Sequence, residues 1–216
     1  MIVTIDGPAG AGKSTVARRL AEKLGFEFLD TGAMYRAVTW AAVHRGLDLQ
    51  NDAGLAVLAA GIDLRMESGH VLVDGADVSS AIRTPDITAQ VKYVADPPVV
   101  REVLVELQRR LVGEQDFVTE GRDQGTVAFP DAECKVFLTA TPETRAQRRW
   151  EQLAEKQRPS VEEILQQQNL RDDRDSKREV GRLMAADDAQ ELATDGLTLD
   201  EVVDRIAEWV EHRRKP

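Results

Sequence analysis

Gly7-Pro8-Ala9-Gly10-Ala11-Gly12-Lys13-Ser14, followed by Thr15, has the spacing G-x-x-x-x-G-K-[ST]. It stands between the apolar run Ile2-Val3-Thr4-Ile5-Asp6 and the helix-prone stretch Val16 to Leu24. In that strand–loop–helix setting the pattern reads as a phosphate-binding loop. Glycines let the backbone curl so that successive N–H groups point inward at one anion. The helix that starts near Gly12 adds its positive N-terminal dipole. Lys13 supplies a point charge for β- and γ-phosphates, and Ser14 a hydroxyl for Mg²⁺ held with the phosphates and waters. Residues Gly7 to Thr15 thus make a nucleoside-triphosphate site and leave open what the triphosphate is used for.

Arginines are the second set of groups with chemistry in them. Arg145, Arg148 and Arg149 are spaced i, i+3, i+4, and Arg171, Arg174, Asp175 and Arg178 are spaced i, i+3, i+4, i+7, one face of a helix in each case. Arg36, Arg83, Arg101 and Arg122 are dispersed. Phosphoryl transfer needs fixed cations around the moving group, and the planar guanidinium fork grips phosphate oxygens in pairs. Each cluster, taken alone, also fits a solvated helix face laced with salt bridges, since Asp172, Asp173 and Glu179 lie nearby. Together with the phosphate loop, the Arg171–Arg178 face reads as a lid or substrate clamp. Asp123 follows a strand end beside Arg122, where ligand chemistry collects in parallel sheets. It could orient Mg²⁺ waters or an acceptor, and it equally fits an ordinary turn Asp. His44, His70 and His212 read as surface residues. Trp40, Trp150 and Trp209 sit on expected helices and read as core.

The elements that must position these groups follow from periodicity. Strands are expected at 2–6, 27–29, 117–120, 134–139 and 190–193, with helices at 13–24, 33–45, 52–60, 99–111, 142–156, 160–179 and 199–213, the last capped by Thr198. Alternating β and α predicts a parallel sheet of five strands flanked by helices. Ile62–Met66 and His70–Asp74 alternate across a Ser68-Gly69 turn and predict an antiparallel hairpin. That hairpin reads as an inserted subdomain over 60–90, with an edge extension of the main sheet as the alternative. The core domain is then 1–59 and 91–216, with a lid at about 150–170.

Composition narrows the class. A chain of 216 residues, 42% hydrophobic and 31% charged, suits a globular domain with an insert. A net charge of −10 argues against a nucleic-acid surface, though not against nucleotides, which respond to the local field. Cys134 is the only cysteine, so neither an internal disulfide nor a Cys-based zinc site is available, and a reducing compartment fits. No 18-residue apolar run occurs, and Met1 leads straight into the first strand without room for a signal peptide. A soluble cytoplasmic protein without a membrane partner is expected.

Both Asn residues, Asn51 and Asn169, lack the Asn-Lys-x-Asp context of a GTPase. Motor and helicase ATPases need a larger chain, so small P-loop kinases remain. Among these the sequence resembles the bacterial cytidylate kinases (CMP/dCMP kinases), which are P-loop nucleoside monophosphate kinases, in nearly every segment. The resemblance rests on Ile5 to Thr15, Asp30-Thr31-Gly32-Ala33-Met34-Tyr35-Arg36, Ile82-Arg83-Thr84 and Val100-Arg101-Glu102. It continues through Gly121-Arg122-Asp123-Gln124-Gly125-Thr126, Lys135 to Ala140, Arg145 to Arg149, Arg171-Asp172-Asp173-Arg174-Asp175 and Ala186 to Ala189. The D-[ST]-G-A-x-Y-R and G-R-D-x-G-T elements together are far more specific than the phosphate loop.

The resemblance implies a P-loop NTPase fold, with a five-stranded parallel sheet, a small antiparallel β insert for the monophosphate and a helical lid. It implies transfer from ATP to CMP or dCMP with Mg²⁺, giving CDP or dCDP and ADP. Thr31, Arg36, Arg101, Arg122, Asp123, Arg171, Asp175 and Arg178 match residues that hold CMP, with Arg36 and Arg122 on the acceptor phosphate and Asp175 by the sugar hydroxyl. Arg148 and the lid arginines are expected on the ATP phosphates, and Lys13, Arg122, Asp123, Arg174 and Arg178 form the catalytic set. A monomer is expected. Two positions depart from the family: Lys92 where Ser is common and linked to cytosine, and Glu120 where Asp is frequent. The other readings are a small P-loop kinase acting on UMP, dTMP or shikimate, and a non-catalytic nucleotide-dependent binding module.

Overall fold

The computed structural model describes residues 1–67, 69–153 and 158–214. Its spine is β1 (Ile2–Asp6), whose last four residues are buried, as expected for a strand covered on both faces. α1 (Lys13–Leu24) follows the phosphate loop and turns Val16, Ala17, Leu20 and Ala21 inward. Gly25, left-handed at φ 69°, ends it by donating its N–H to Ala21 O. β2 (Glu27–Asp30) runs directly into α2 (Thr31–His44), and Asp30 caps that helix by accepting the Ala33 N–H at 2.9 Å. The helix therefore starts two residues earlier than the sequence pattern suggests.

α3 (Asp52–Gly61) leads to β3 (Leu64–Glu67), β4 (His70–Val73) and β5 (Ala76–Asp77). These three strands pair antiparallel, Leu64 opposite Val73 and Val73 opposite Ala76. They form a sheet of their own, so the hairpin is not an extension of the main sheet. A 3₁₀ turn (Ala81–Arg83), α4 (Pro85–Gln90) and α5 (Lys92–Ala95) come next, a stretch for which periodicity gives no element. α6 (Pro98–Val112) then packs on α3.

β6 (Phe117–Glu120) is followed by one turn of π-helix, Gln124–Ala128, where the sequence suggests only a loop. β7 (Cys134–Thr139), α7 (Pro142–Gln152), α8 (Val161–Ser176), β8 (Gln190–Ala193) and α9 (Leu199–Arg214) complete the chain. The expected end of the 142–156 helix, and part of the expected lid, lie outside the described residues. α8 starts with a reciprocal cap between Ser160 and Glu163 and ends at Ser176, three residues short of the expected Glu179.

The main sheet has the order β2-β6-β1-β7-β8. Val3 lies opposite Val118 on one side and Cys134 on the other, in parallel registers, and β7 pairs parallel with β8. Val3, Ile5, Leu20, Val136, Leu138, Val202, Ile206 and Val210 fill its core. Trp209 packs against that core half-buried, whereas His44, His70 and His212 are exposed. Two compact units divide the chain: Met1–Phe28 together with the chain from Glu114 onward, and Leu29–Gly113. Among the described residues no helix is long and apolar enough to cross a membrane.

Candidate active site

The first unit holds the phosphate loop. Gly7 sits at φ 145°, and a Cβ there would lie 2.1 Å from Leu138 O, so no side chain fits between the loop and β7. Gly12, at φ 93°, is the N-cap of α1. Lys13 is buried, and its ammonium donates to Pro8 O at 2.8 Å. Burial lowers its pKa from 10.5 to about 7, and the nearby cations of Arg122 and Arg171 push the same way, against the pull of Glu120 and Asp6. Ser14 Oγ donates to Glu120 Oε1 at 2.8 Å, and Glu120 is itself buried at the end of β6. This pair places hard oxygen donors beside the loop, the ligand type that suits Mg²⁺. Among the described residues no cluster of three His, Cys, Asp or Glu could hold a metal by itself.

Asp175 is the hub of the arginine set. It is 1% exposed and takes Arg178 Nη2 at 2.6 Å on one oxygen and Arg122 Nε at 3.0 Å on the other, with Arg171 Nε at 3.8 Å. Burial pushes its carboxyl up, but Arg122, Arg178 and Arg171 outweigh that and hold it below the usual range. Arg178 was expected on the helical face of Arg171 and Arg174. Because α8 stops at Ser176 with Lys177 as its C-cap, Arg178 instead reaches Asp175 from the chain beyond the helix. Arg174 stays on α8, half-buried.

Asp123 is 3% exposed and stands at the residue just before the π turn, with Arg122 preceding it. Arg145, the first of the i, i+3, i+4 arginines, is buried rather than on a solvated helix face. Its guanidinium braces the loop by donating to Ala9 O at 2.8 Å and Ala140 O at 3.2 Å, and it pairs with Asp172, whose Oδ1 accepts the Ala9 N–H at 3.0 Å. Arg148 donates to Thr194 Oγ1 and Thr194 O, both at 2.8 Å, and Arg149 is exposed.

The second unit holds Thr31, Arg36 and Arg101. Thr31 is buried as the first residue of α2. Arg36 Nη1 donates to Thr88 Oγ1 at 2.7 Å and Ile82 O at 3.2 Å. Arg83 Nη2 meets Asp30 Oδ2 at 3.3 Å, so the Asp30–Arg36 segment and the turn at 81–83 are tied together. Arg101 is 2% exposed, donates to Ala95 O at 2.9 Å, and lies 5.4 Å from the Tyr35 ring. Lys92 is half-buried, with its ammonium 4.9 Å from the Tyr93 ring.

Two carboxylates escaped the sequence reading as site residues. Asp6 accepts the Gln124 and Gly125 N–H groups, and Glu120 holds Ser14. The available signal was a charged residue closing an otherwise strand-like run, Ile2–Asp6 and Phe117–Glu120, next to a glycine loop.

A family model described as cytidylate kinase matches residues 3–212. The chain belongs to the cytidylate kinase family. It is 54% identical over 211 residues to a cytidylate kinase of Rhodopirellula baltica, covering 97% of this chain and 92% of that one. It is also 50% identical over 216 residues to a bifunctional pantoate ligase/cytidylate kinase of Synechococcus elongatus, covering 95% of this chain but 41% of that longer protein. The solved structure of TT1252 from Thermus thermophilus matches with a TM-score of 0.53 at 19% identity, covering 100% of this chain and 98% of that one. A shikimate kinase from Acinetobacter baumannii matches at 0.50 and 17%, covering 100% and 95%. These two structures share this chain's fold, while cytidylate kinase membership makes this protein an enzyme, a nucleotide-binding transferase of the kinase class.

Proposed function

We propose that the protein phosphorylates CMP and dCMP, with ATP as the phosphoryl donor, giving CDP or dCDP and ADP in pyrimidine nucleotide metabolism. The observation that carries the reading is the cytidylate kinase family membership over residues 3–212, and within it the buried Lys13, close enough to Arg122 and Arg171 for their charges to lower its pKa, marks the phosphate site. A fold that crowds three cations at a glycine loop is built to receive phosphates. Gly7 to Thr15 hold the triphosphate through backbone N–H groups and Lys13, with Arg148 as a further ATP contact. Thr31, Arg36 and Arg101 of the second unit, and Arg122, Asp123, Arg171, Asp175 and Arg178 of the first, are assigned to CMP. The small β3–β5 sheet is assigned to the monophosphate-binding insert at 60–90, and the chain at about 150–170 to a lid.

An oxygen of the acceptor phosphate attacks the γ-phosphorus as the bond to the β-phosphate oxygen breaks. That oxygen is already a competent nucleophile near neutral pH, so no histidine base is required. Lys13, Arg122, Arg174 and Arg178 neutralise charge on the moving group, Asp123 orients the acceptor, and exclusion of water prevents hydrolysis. Ser14 would hold Mg²⁺ together with the phosphates and waters, and the ion would supply further neutralisation of phosphate charge. The enzyme works as a cytoplasmic monomer on these small molecules, without nucleic acid or membrane. Chromatography of products from ATP, Mg²⁺ and CMP tests this. CDP and ADP are expected in equal amounts, and ADP with free phosphate but no CDP would overturn it.

A further inference from the structure

Asp6 has no assigned part in phosphate binding, yet it is 4% exposed and is the last residue of β1, just before Gly7. Its Oδ1 accepts the Gln124 N–H at 2.9 Å and its Oδ2 the Gly125 N–H at 2.8 Å. Just upstream, the Gly121 N–H donates to Ile5 O at 3.1 Å. Three hydrogen bonds therefore hold the Gly121–Gly125 segment on the last two residues of β1. Between them lie Arg122, bonded to Asp175, and Asp123, the residue just before the π turn. Gly125 lets the turn come this close, because a Cβ there would lie 3.0 Å from Thr4 Oγ1 and 3.2 Å from Lys135 Cδ. Single π turns recur at functional sites.

We infer that Asp6 is a positioning residue for the acceptor side of the reaction, acting through the 121–125 segment to aim Arg122 and Asp123. The chemistry requires a carboxylate. Two adjacent N–H groups need two acceptor oxygens, which Asp has; Asn has one oxygen and would turn an N–H₂ donor toward the other N–H. A competing role exists in the same geometry, because the Asp6 charge also reaches Lys13 of the phosphate loop. The two roles separate kinetically. Acting through Lys13, Asp6 would govern ATP; acting through the turn, it governs CMP.

This inference rests on the proposed CMP phosphorylation, and inactivity of the parent protein on CMP would fail that reading rather than the role of Asp6. With an active parent, Asp6→Asn is expected to raise the KM for CMP about tenfold and lower kcat, with the KM for ATP within about twofold. In an Arg122→Ala background the same change should add less than about twofold, because both substitutions act on one unit. An equal rise in the ATP KM, or effects that multiply in the double variant, would overturn the inference. Gly125→Ala disturbs the approach without touching the Asp6 charge, so it carries the test if Asp6→Asn does not fold. It should reproduce the CMP-selective loss, and unchanged CMP kinetics in the folded variant would overturn the inference.

Discussion

At the scale of single residues, the site is made of charges the fold holds at a cost. Lys13 has its pKa lowered from 10.5 to about 7, so between those values the folded protein holds fewer protons than the unfolded chain. Stability from this group therefore rises with pH across that window. Comparing urea unfolding of the ligand-free parent with Lys13→Met at pH 7, 8, 9 and 10, the parent should gain stability relative to the variant as pH rises. Parallel curves would show that Lys13 is not strained in this way. Asp6 runs in the opposite sense: burial raises it from 3.8 to about 7, and the Gln124 and Gly125 N–H groups offset this only in part. Its contribution falls as pH rises through that range, because the folded state keeps a proton the unfolded chain gives up. Neither shift could be seen in the sequence, since each depends on burial and on neighbours more than a hundred residues away. Lys13 was recognisable from its motif alone, whereas Asp6 looked like the end of a strand.

At the scale of elements, the decisive feature is the junction of α8, the chain after it and the loop after β6, all meeting at Asp175. Removing its charge leaves Arg122, Arg171 and Arg178 facing one another where the carboxylate is almost fully buried. Asp175→Ala is expected to cost about 3–5 kcal/mol in urea unfolding, the scale for breaking a buried ion pair. A loss below about 1 kcal/mol would mean the cluster is a screened surface network. The i, i+3, i+4, i+7 spacing put Arg171, Asp175 and Arg178 near one another, but not in the arrangement they adopt. Lys177 and Arg178 are good helix formers, and nothing before Gly181 marks the stop at Ser176. The π turn at 124–128 has no periodic signature at all. By contrast, the short helices at 85–95 left a readable mark, Thr84 as cap and Pro85 at the first helical position, which hydrophobic periodicity passes over in elements this short.

For the whole molecule, β–α alternation sufficed to foresee the parallel sheet, because a buried strand needs a covering helix on each face. The separate hairpin was equally visible from its alternation around Gly69. The division at Leu29 and Gly113 was not, since it arises from packing such as α3 on α6, which leaves no compositional boundary. The candidate residues are shared between those units, with the phosphate loop and the Asp175 cluster in one and Thr31, Arg36 and Arg101 in the other. The acceptor's identity is legible only in the specific D-[ST]-G-A-x-Y-R and G-R-D-x-G-T elements, because the phosphate loop is common to many acceptor classes. The most direct measurement is therefore ADP release, with ATP and Mg²⁺, across CMP, dCMP, UMP, AMP and dTMP. CMP and dCMP should be turned over with kcat/KM at least about tenfold above the rest, the discrimination a base-edge hydrogen bond of about 1.4 kcal/mol gives. Equal rates on UMP and CMP, or no turnover of any acceptor, would contradict the account.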